Sequence, residues 1–353
     1  MASADTVRVE PARKRGTTFG RLLARVMAVG AAAGVVAGMG FGTALVQAAD
    51  LPLASAYPED SFHTRNLQAF ADDLRTATAG RVAFKIHPNG SLIKPAEIFA
   101  GVRTGDAAAG EVVMSSLAKE KQLFGMDALP FIVSGYGDAW KMWEMSRDAV
   151  RDTLASQGLE LLYAVPWPPQ NLYSRDAINV KEDFVGRRMR TYNPATEYIA
   201  EVVGAQPVSI QVPDLKKAIA EGALDMMITS SATGVEVESW SGMRHFYKVS
   251  AWIPKNIVFM NKRVFDALPE ADRTAIREMA KLAETRGWQM SKDVETGYVA
   301  QLAAQGVQVS ELDPFVYRNL DRAGEALSRE WLKGADTVEL SILLKYISER
   351  GVQ

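Results

Sequence analysis

The segment that decides the fold runs from Gly186 to Gly204 and reads G-R-R-M-R-T-Y-N-P-A-T-E-Y-I-A-E-V-V-G. Before Asn193, two sets of side chains alternate along the segment, as they do in a strand whose side chains point to opposite sides in turn. One side carries Met189 and Thr191, and the other carries Arg188, Arg190 and Tyr192. Asn193 is a good helix N-cap, Pro194 fits a first helical turn, and Gly204 fits a helix end. The segment therefore predicts a strand that leads directly into a helix.

Arg190 lies at the carboxyl end of that predicted strand, three residues before the helix N-cap. Open α/β sheets bind ligands at the carboxyl ends of their strands, and a helix N-terminus attracts anions. A guanidinium group there can hold a carboxylate through two charge-assisted hydrogen bonds. The pattern predicts a carboxylate site anchored on Arg190. The alternative is an arginine exposed on the surface of the sheet.

The first 48 residues have the pattern of a signal peptide. Basic residues between Arg13 and Arg25 precede an apolar run from Val26 to Val46, and the small residues around Ala48 fit a cleavage site. We expect cleavage after Ala48 or Ala49 and a periplasmic location. An uncleaved membrane anchor is the alternative, because about 20 apolar residues can span a bilayer.

Charge and cysteine content narrow the classes of function. The chain has 40 Lys and Arg against 42 Asp and Glu; residues 1–48 hold six basic and two acidic side chains, which leaves a net charge of −6 in the remainder. That balance argues against a nucleic-acid partner, which needs a basic face. The absence of cysteine excludes disulfides, thiolate nucleophiles and cysteine-based metal sites. An exported chain without cysteine fits a bacterial periplasm.

Short apolar strands alternate with amphipathic helices along the chain, which predicts an α/β fold. The helical pattern that begins at Pro269 exceeds thirty residues, so we expect one long helix to span two lobes. No linker is visible, which predicts strands that cross between the lobes and a ligand cleft that closes by hinge motion. The expected division places 49–167 and 256–295 in lobe I, and 168–255 and 296–353 in lobe II.

No catalytic or metal site is predicted. The histidines at positions 63, 87 and 245 lack ligand spacing, and structural roles are expected for them. Ser116 and Lys119 match the S-x-x-K pattern of serine acylases, but its companion motifs are missing. An exported hydrolase therefore stays a minor alternative, and we expect neither catalytic residues nor a cofactor.

Polar and aromatic side chains recur where the predicted strands end, as a ligand crevice requires. The candidate ligand contacts are Arg190, Gln170, Tyr173, Asn193, Thr229, Ser230, Ser115, Trp167 and Tyr192. Each serine or threonine could instead cap the helix that follows it. We expect two or three aromatic residues of the central third to line the crevice; the five considered are Trp167, Tyr173, Tyr192, Trp240 and Trp252.

Five segments resemble the solute-binding proteins of tripartite ATP-independent periplasmic (TRAP) transporters, of the dicarboxylate-binding type. They are the G-R-V start at Gly80 with P-N-G-S-L at Pro88, D-A-L-P-F-I at Asp127, G-R-R-M-R-T-Y at Gly186, G-A-Q-P at Gly204, and N-K-R-V-F-D-A-L at Asn261. The resemblance extends over nearly all of the chain beyond the signal peptide, and the order and spacing of the segments make it specific.

The resemblance implies a two-lobed periplasmic binding protein fold that closes around an organic acid and delivers it to a membrane permease. It assigns the substrate carboxylate to Arg190, and ligand contacts to Thr229, Ser230 and the region of Ser115. Many relatives carry a second arginine where this chain has Gln170 in W-P-P-Q-N-L-Y-S. That departure suggests one carboxylate on a neutral or aromatic body, such as a 2-oxo or aromatic acid. A monomer is expected, and a periplasmic sensor partner is the alternative function.

Overall fold

The structure is a computed structural model, and it describes residues 49–350 of the 353-residue chain. The predicted signal peptide, residues 1–48, lies outside that range. The strands are β1 Ala49–Ala54, β2 Val82–His87, β3 Ala109–Val113, β4 Leu159–Pro166, β5 Gln170–Ser174, β6 Arg188–Thr191, β7 Gln206–Ser209, β8 Met226–Ser230, β9 His245–Lys248, β10 Lys255–Asn261 and β11 Gln308–Glu311. The helices are α1 Phe62–Ala77, α2 Ile98–Thr104, α3 Tyr136–Ser156, α4 Pro194–Val202, α5 Val212–Ala220, α6 Ser231–Glu236, α7 Lys262–Asp266, α8 Glu270–Ala304, α9 Pro314–Gly334 and α10 Thr337–Arg350.

These strands form two sheets. The first has the order β2-β1-β3-β10-β4, and the second has the order β11-β9-β5-β8-β6-β7. In the first sheet β10 runs antiparallel to both of its neighbours, whereas β1, β2 and β3 are parallel. In the second sheet β6 is parallel to β7 and β8, and β5 is antiparallel to β8. The prediction of a two-lobed α/β architecture is confirmed.

The long helix α8 lies on the path from β10 to β11, and two further, adjacent segments pass between the sheets. One connects β4 to β5 and the other connects β9 to β10. They are hydrogen-bonded to each other, because the Trp167 amide donates to the Pro254 carbonyl at 2.8 Å and the Gln170 amide to the Trp252 carbonyl at 2.9 Å. These backbone hydrogen bonds connect the two crossings directly.

Side-chain alternation along the strands fills the core on both faces of the second sheet. In β8, Met226 and Ile228 pack on one face, and Met227 packs on the other. Leu172 and Tyr173 divide in the same way in β5. This burial on both faces is typical of a sheet covered by helices on each side.

The long helix α8 has 35 residues and packs against both sheets' cores, as predicted. Its Ile276 lies in the core of the first sheet, and its Leu302 lies in a core of the second.

The C-terminal helix α10 differs from the expected division, which placed 296–353 with the second lobe. Its Ile342, Leu343 and Tyr346 pack into the core of the first sheet, because its apolar face meets α3. Within residues 49–350, no helix combines the length and the apolarity needed to cross a bilayer.

Two glycines of α8 should respond to substitution in opposite ways. A Cβ at Gly287 would overlap Val165 of β4 and lie 2.8 Å from Asn66 Nδ2 of α1, whereas a Cβ at Gly297 would meet no atom within 4 Å. We expect Gly287→Ala to lower the free energy of unfolding by about 1–3 kcal/mol through overpacking. Gly297→Ala should raise it by up to about 1 kcal/mol, because alanine is the better helix former.

Urea unfolding of both variants beside the wild-type protein checks this expectation. Equal effects of the two substitutions would show that the close contact between α8 and β4 is not what requires a glycine at position 287.

Candidate functional site

The predicted strand-to-helix segment forms as the sequence indicates. Asn193 caps α4, with its side-chain oxygen accepting a hydrogen bond from the Thr196 amide at 2.9 Å. Since β6 and β8 are parallel, their carboxyl ends lie at the same edge of the second sheet. Gln170 reaches that edge from the opposite direction, because it opens the antiparallel strand β5 and pairs with Ser230. Gln170 follows the end of β4, as the sequence indicates, and it is also the first residue of β5.

A cavity lies at this edge, between the two sheets. Its volume is about 50 Å³. The residues that line it are Ala56, Tyr57, Val113, Trp167, Gln170, Arg190, Tyr192, Gln211, Val212, Thr229, Thr233 and Pro254. An enclosed water needs a cavity of roughly 10–15 Å³. The space is therefore large enough for one small solute.

Arg190 is 2% exposed. Its Nε donates to the Ile210 carbonyl at 2.9 Å, and its guanidinium carbon lies 4.9 Å from the centre of the Tyr192 ring. Within residues 49–350, no carboxylate lies within 4 Å of this guanidinium. Burial lowers the pKa of Arg190 to about 10, so the group stays charged at neutral pH. A buried cation without an anionic partner is costly, and an anionic ligand in the cavity would supply the missing partner.

The polar side chains around Arg190 are held by hydrogen bonds of their own. The Tyr192 hydroxyl donates to Gln170 Oε1 at 3.0 Å, and Gln170 Nε2 donates to the Pro168 carbonyl at 3.0 Å. Beyond these two hydrogen bonds, the phenol oxygen of Tyr192 can still accept and the second N–H of the Gln170 amide can still donate. The Gln170 amide is therefore oriented before any ligand arrives.

Comparison with known protein families places the chain that carries this cavity. The model of the bacterial extracellular solute-binding proteins, family 7, matches residues 53–333. The chain belongs to this family. The predicted resemblance to TRAP solute-binding proteins is confirmed, and the chain is a solute receptor of an extracellular family.

Solved structures resemble this family 7 receptor along most of its length. DctP7, a Bordetella pertussis extracytoplasmic solute receptor that binds pyroglutamic acid, is 33% identical, with a TM-score of 0.83 over 85% of this chain and 99% of that one. A TRAP solute-binding protein from a marine metagenome, specific for pyroglutamate, is also 33% identical, with a TM-score of 0.84 over 86% of this chain and 99% of that one. A solute-binding protein of Albidiferax ferrireducens is 24% identical over 285 residues, which cover 78% of this chain and 84% of the relative.

Five of the nine predicted contact residues line the receptor's cavity: Arg190, Gln170, Thr229, Trp167 and Tyr192. The other four hold the surrounding structure and do not line it. Ser230 caps α6, and the Tyr173 hydroxyl donates to the Ser230 carbonyl at 3.1 Å from within the core. Asn193 Nδ2 donates to Ser115 Oγ at 2.8 Å, which joins a residue of the second sheet's layer to one that follows β3 of the first.

Of the five aromatic residues considered, Trp167 and Tyr192 line the cavity, whereas Trp252 is fully buried in a core and Trp240 packs against another. Tyr57, Gln211 and Thr233 also line the cavity, and the sequence patterns above do not single them out. Tyr57 follows the end of β1, and Gln211 follows β7. The rule that polar residues gather at strand ends would have found them had it been applied to these two strands.

The serine of the S-x-x-K match is not arranged as a nucleophile. Ser116 Oγ donates to the Val113 carbonyl at 2.7 Å, and the exposed Lys119 Nζ lies 3.5 Å from the Glu197 carboxylate. A nucleophile needs a neighbouring base that accepts its proton.

Across the described residues 49–350, no three His, Asp or Glu side chains gather in a group that could hold a metal ion.

Proposed function

We propose that this receptor captures a small organic monocarboxylate, pyroglutamate (5-oxoproline) or a close analogue, and hands it to a TRAP-type membrane permease. The observation that carries the proposal is the buried Arg190 guanidinium, which has a cavity beside it and no carboxylate partner in residues 49–350. Its Nε is committed to Ile210, so the two terminal nitrogens are left to bind a carboxylate.

The composition of the cavity supports a ligand with one negative charge. Arg190 is the only cationic side chain among the lining residues that the structure describes. A second carboxylate would be buried without a partner, which costs several kcal/mol. Three solved receptors with 33–34% identity to this chain bind pyroglutamate, which carries one carboxylate on a small neutral ring.

The proposal extends to the whole cycle of the receptor. The two sheets belong to two lobes that open and close about the paired crossings, and the ligand is enclosed between them. The chain is exported with removal of residues 1–48, acts as a monomer, and releases its ligand chemically unchanged. Ser115, Asn193, Ser230 and Tyr173 support the cavity, and the five lining residues predicted from the sequence contact the ligand.

A titration of the exported protein tests the proposal. The protein is purified from the periplasm, dialysed until free of ligand, and titrated calorimetrically with pyroglutamate, glutamate, succinate and glucuronate. We expect pyroglutamate to bind at least about 100-fold more tightly than the other three, because several kcal/mol of unpaired charge or hydroxyl burial separates them. Tight binding of succinate or glucuronate without binding of pyroglutamate would overturn the proposed ligand class.

A further inference from the structure

A buried hydrogen-bond network lies behind the two aromatic residues that the first sheet's side contributes to the cavity. Asn256 of β10 is fully buried, and its Oδ1 accepts from the Tyr57 hydroxyl at 3.0 Å and from Trp167 Nε1 at 2.8 Å. Its Nδ2 donates to Glu111 Oε1 at 3.0 Å. One amide therefore binds both aromatic side chains and is itself bound to the layer behind them.

The chemistry of the partners permits one orientation of the Asn256 amide. The indole nitrogen of Trp167 can only donate, so it must face the amide oxygen. Glu111 receives hydrogen bonds on both oxygens, since Ser55 Oγ donates to Oε2 at 2.7 Å. His63 Nδ1 lies 3.3 Å from Glu111 Oε1, so the imidazole is a further neighbour of this carboxylate. The amide oxygen is thus fixed towards Tyr57.

This orientation decides what the Tyr57 hydroxyl can offer to a ligand. A phenol has one proton, and Tyr57 gives it to Asn256 Oδ1. Only the lone pairs of its oxygen remain for other partners. Tyr57 lines the cavity that also contains Arg190, so the cavity holds a fixed acceptor together with the carboxylate anchor.

We propose that Tyr57, held by Asn256 and Glu111, is a specificity-determining acceptor that selects carboxylates carrying a ring N–H. The inference rests on the proposed function and deepens it. A lactam such as pyroglutamate presents an N–H next to the carbon that bears the carboxylate, and this N–H can donate to the Tyr57 oxygen. A ring oxygen in the same place would set lone pair against lone pair and leave both oxygens without a donor, which carries a desolvation cost.

The test compares two ligands of the same size and charge. Pyroglutamate and 5-oxotetrahydrofuran-2-carboxylate differ only in a ring N–H against a ring oxygen. We expect the wild-type protein to bind the lactam about 10- to 100-fold more tightly than the lactone. In Tyr57→Phe the ratio should fall below about threefold, mainly through loss of lactam affinity.

Two further variants separate selectivity from stability. Asn256→Leu removes the acceptor that fixes the phenol, so we expect the ratio to fall as it does in Tyr57→Phe. Tyr163→Phe is the matched control, because Tyr163 is also a buried tyrosine of the first sheet and does not line the cavity. It should keep the wild-type ratio whatever its melting temperature.

The outcomes distinguish this inference from the proposed function. Equal binding of lactam and lactone by the wild-type protein, or an unchanged ratio in Tyr57→Phe, would overturn the role of Tyr57 and leave the pyroglutamate receptor intact. Failure of the wild-type protein to bind either ligand would overturn the proposed function, and the inference with it.

Discussion

Arg190→Ala is expected to weaken pyroglutamate binding between about 30-fold and a few thousandfold. Removing one partner of a buried, hydrogen-bonded charge pair costs ~2–5 kcal/mol, and every 1.4 kcal/mol is about tenfold in affinity. The lost interaction is the carboxylate contact made by the two terminal guanidinium nitrogens. Calorimetric titration of the variant and of the wild-type protein measures the change, and an unchanged dissociation constant would remove Arg190 from the ligand site.

Arg188 provides a matched control on the same strand. It is 41% exposed and forms an ion pair with Asp225 at 2.7 Å. Arg188→Ala should change ligand affinity less than about threefold, because Arg188 does not line the cavity. Arg190→Met adds a second control. Without ligand it should unfold at the wild-type temperature or higher, since it removes a buried charge that has no anionic partner.

A second large effect is expected in the pH dependence of stability, at Glu236. This residue ends α6 beyond β8 of the second sheet, and both of its carboxylate oxygens are buried. Burial raises the pKa of Glu236 to about 8, and nearby Asp60 acts in the same direction, whereas Ser61, Arg65 and the Phe62 amide act against it. These neighbours belong to the start of α1 and the turn before it, on the first sheet's side.

The sign follows from proton counting. Above the ordinary pKa of 4.5 the unfolded chain has lost the Glu236 proton, whereas the folded chain keeps it until about pH 8. The folded state therefore binds one more proton in this range, and its stability falls as the pH rises. The contribution is about 1.4 kcal/mol per pH unit and levels off above pH 8.

Glu236→Gln should remove that slope. We expect the free energies of unfolding of variant and wild type, measured in urea from pH 5.5 to 9, to diverge with rising pH in favour of the variant. Their difference cancels the titration of other groups, including buried His63, whose pKa burial lowers. Glu238→Gln is the control, since Glu238 is exposed and pairs with Lys216 at 2.7 Å. Parallel curves for Glu236→Gln and wild type would contradict the expectation.

The parts of the fold that depend on neighbours in sequence could be predicted. The strand β6, the Asn193 cap and the left-handed Gly204 are local features, and each formed where the pattern placed it. The long helix α8 could also be predicted, since its helical pattern continues through 35 residues, or roughly ten turns. Arg190 could be singled out because strand, cap and charge lie within one short segment.

The parts that depend on distant pairing could not be predicted. The four-residue strand β11 is described only in its pairing with β9, which joins residues 63 positions apart, such as His245 and Gln308. The amphipathic pattern of α10 indicates a buried face but not which layer covers it. The direction of the Tyr57 hydroxyl proton has the same origin, because it depends on Asn256, 199 positions away.

The cavity's enclosure by both sheets has a kinetic consequence. Its anchor is 2% exposed, and its walls come from elements on either side, so a solute bound to both walls loses the contacts to one of them when the sheets separate. In the proposed cycle, bending of the paired crossings therefore precedes release of the solute. In that cycle the residence time of the solute depends on how readily the crossings bend. A transport partner that bends them would speed release without contacting the solute.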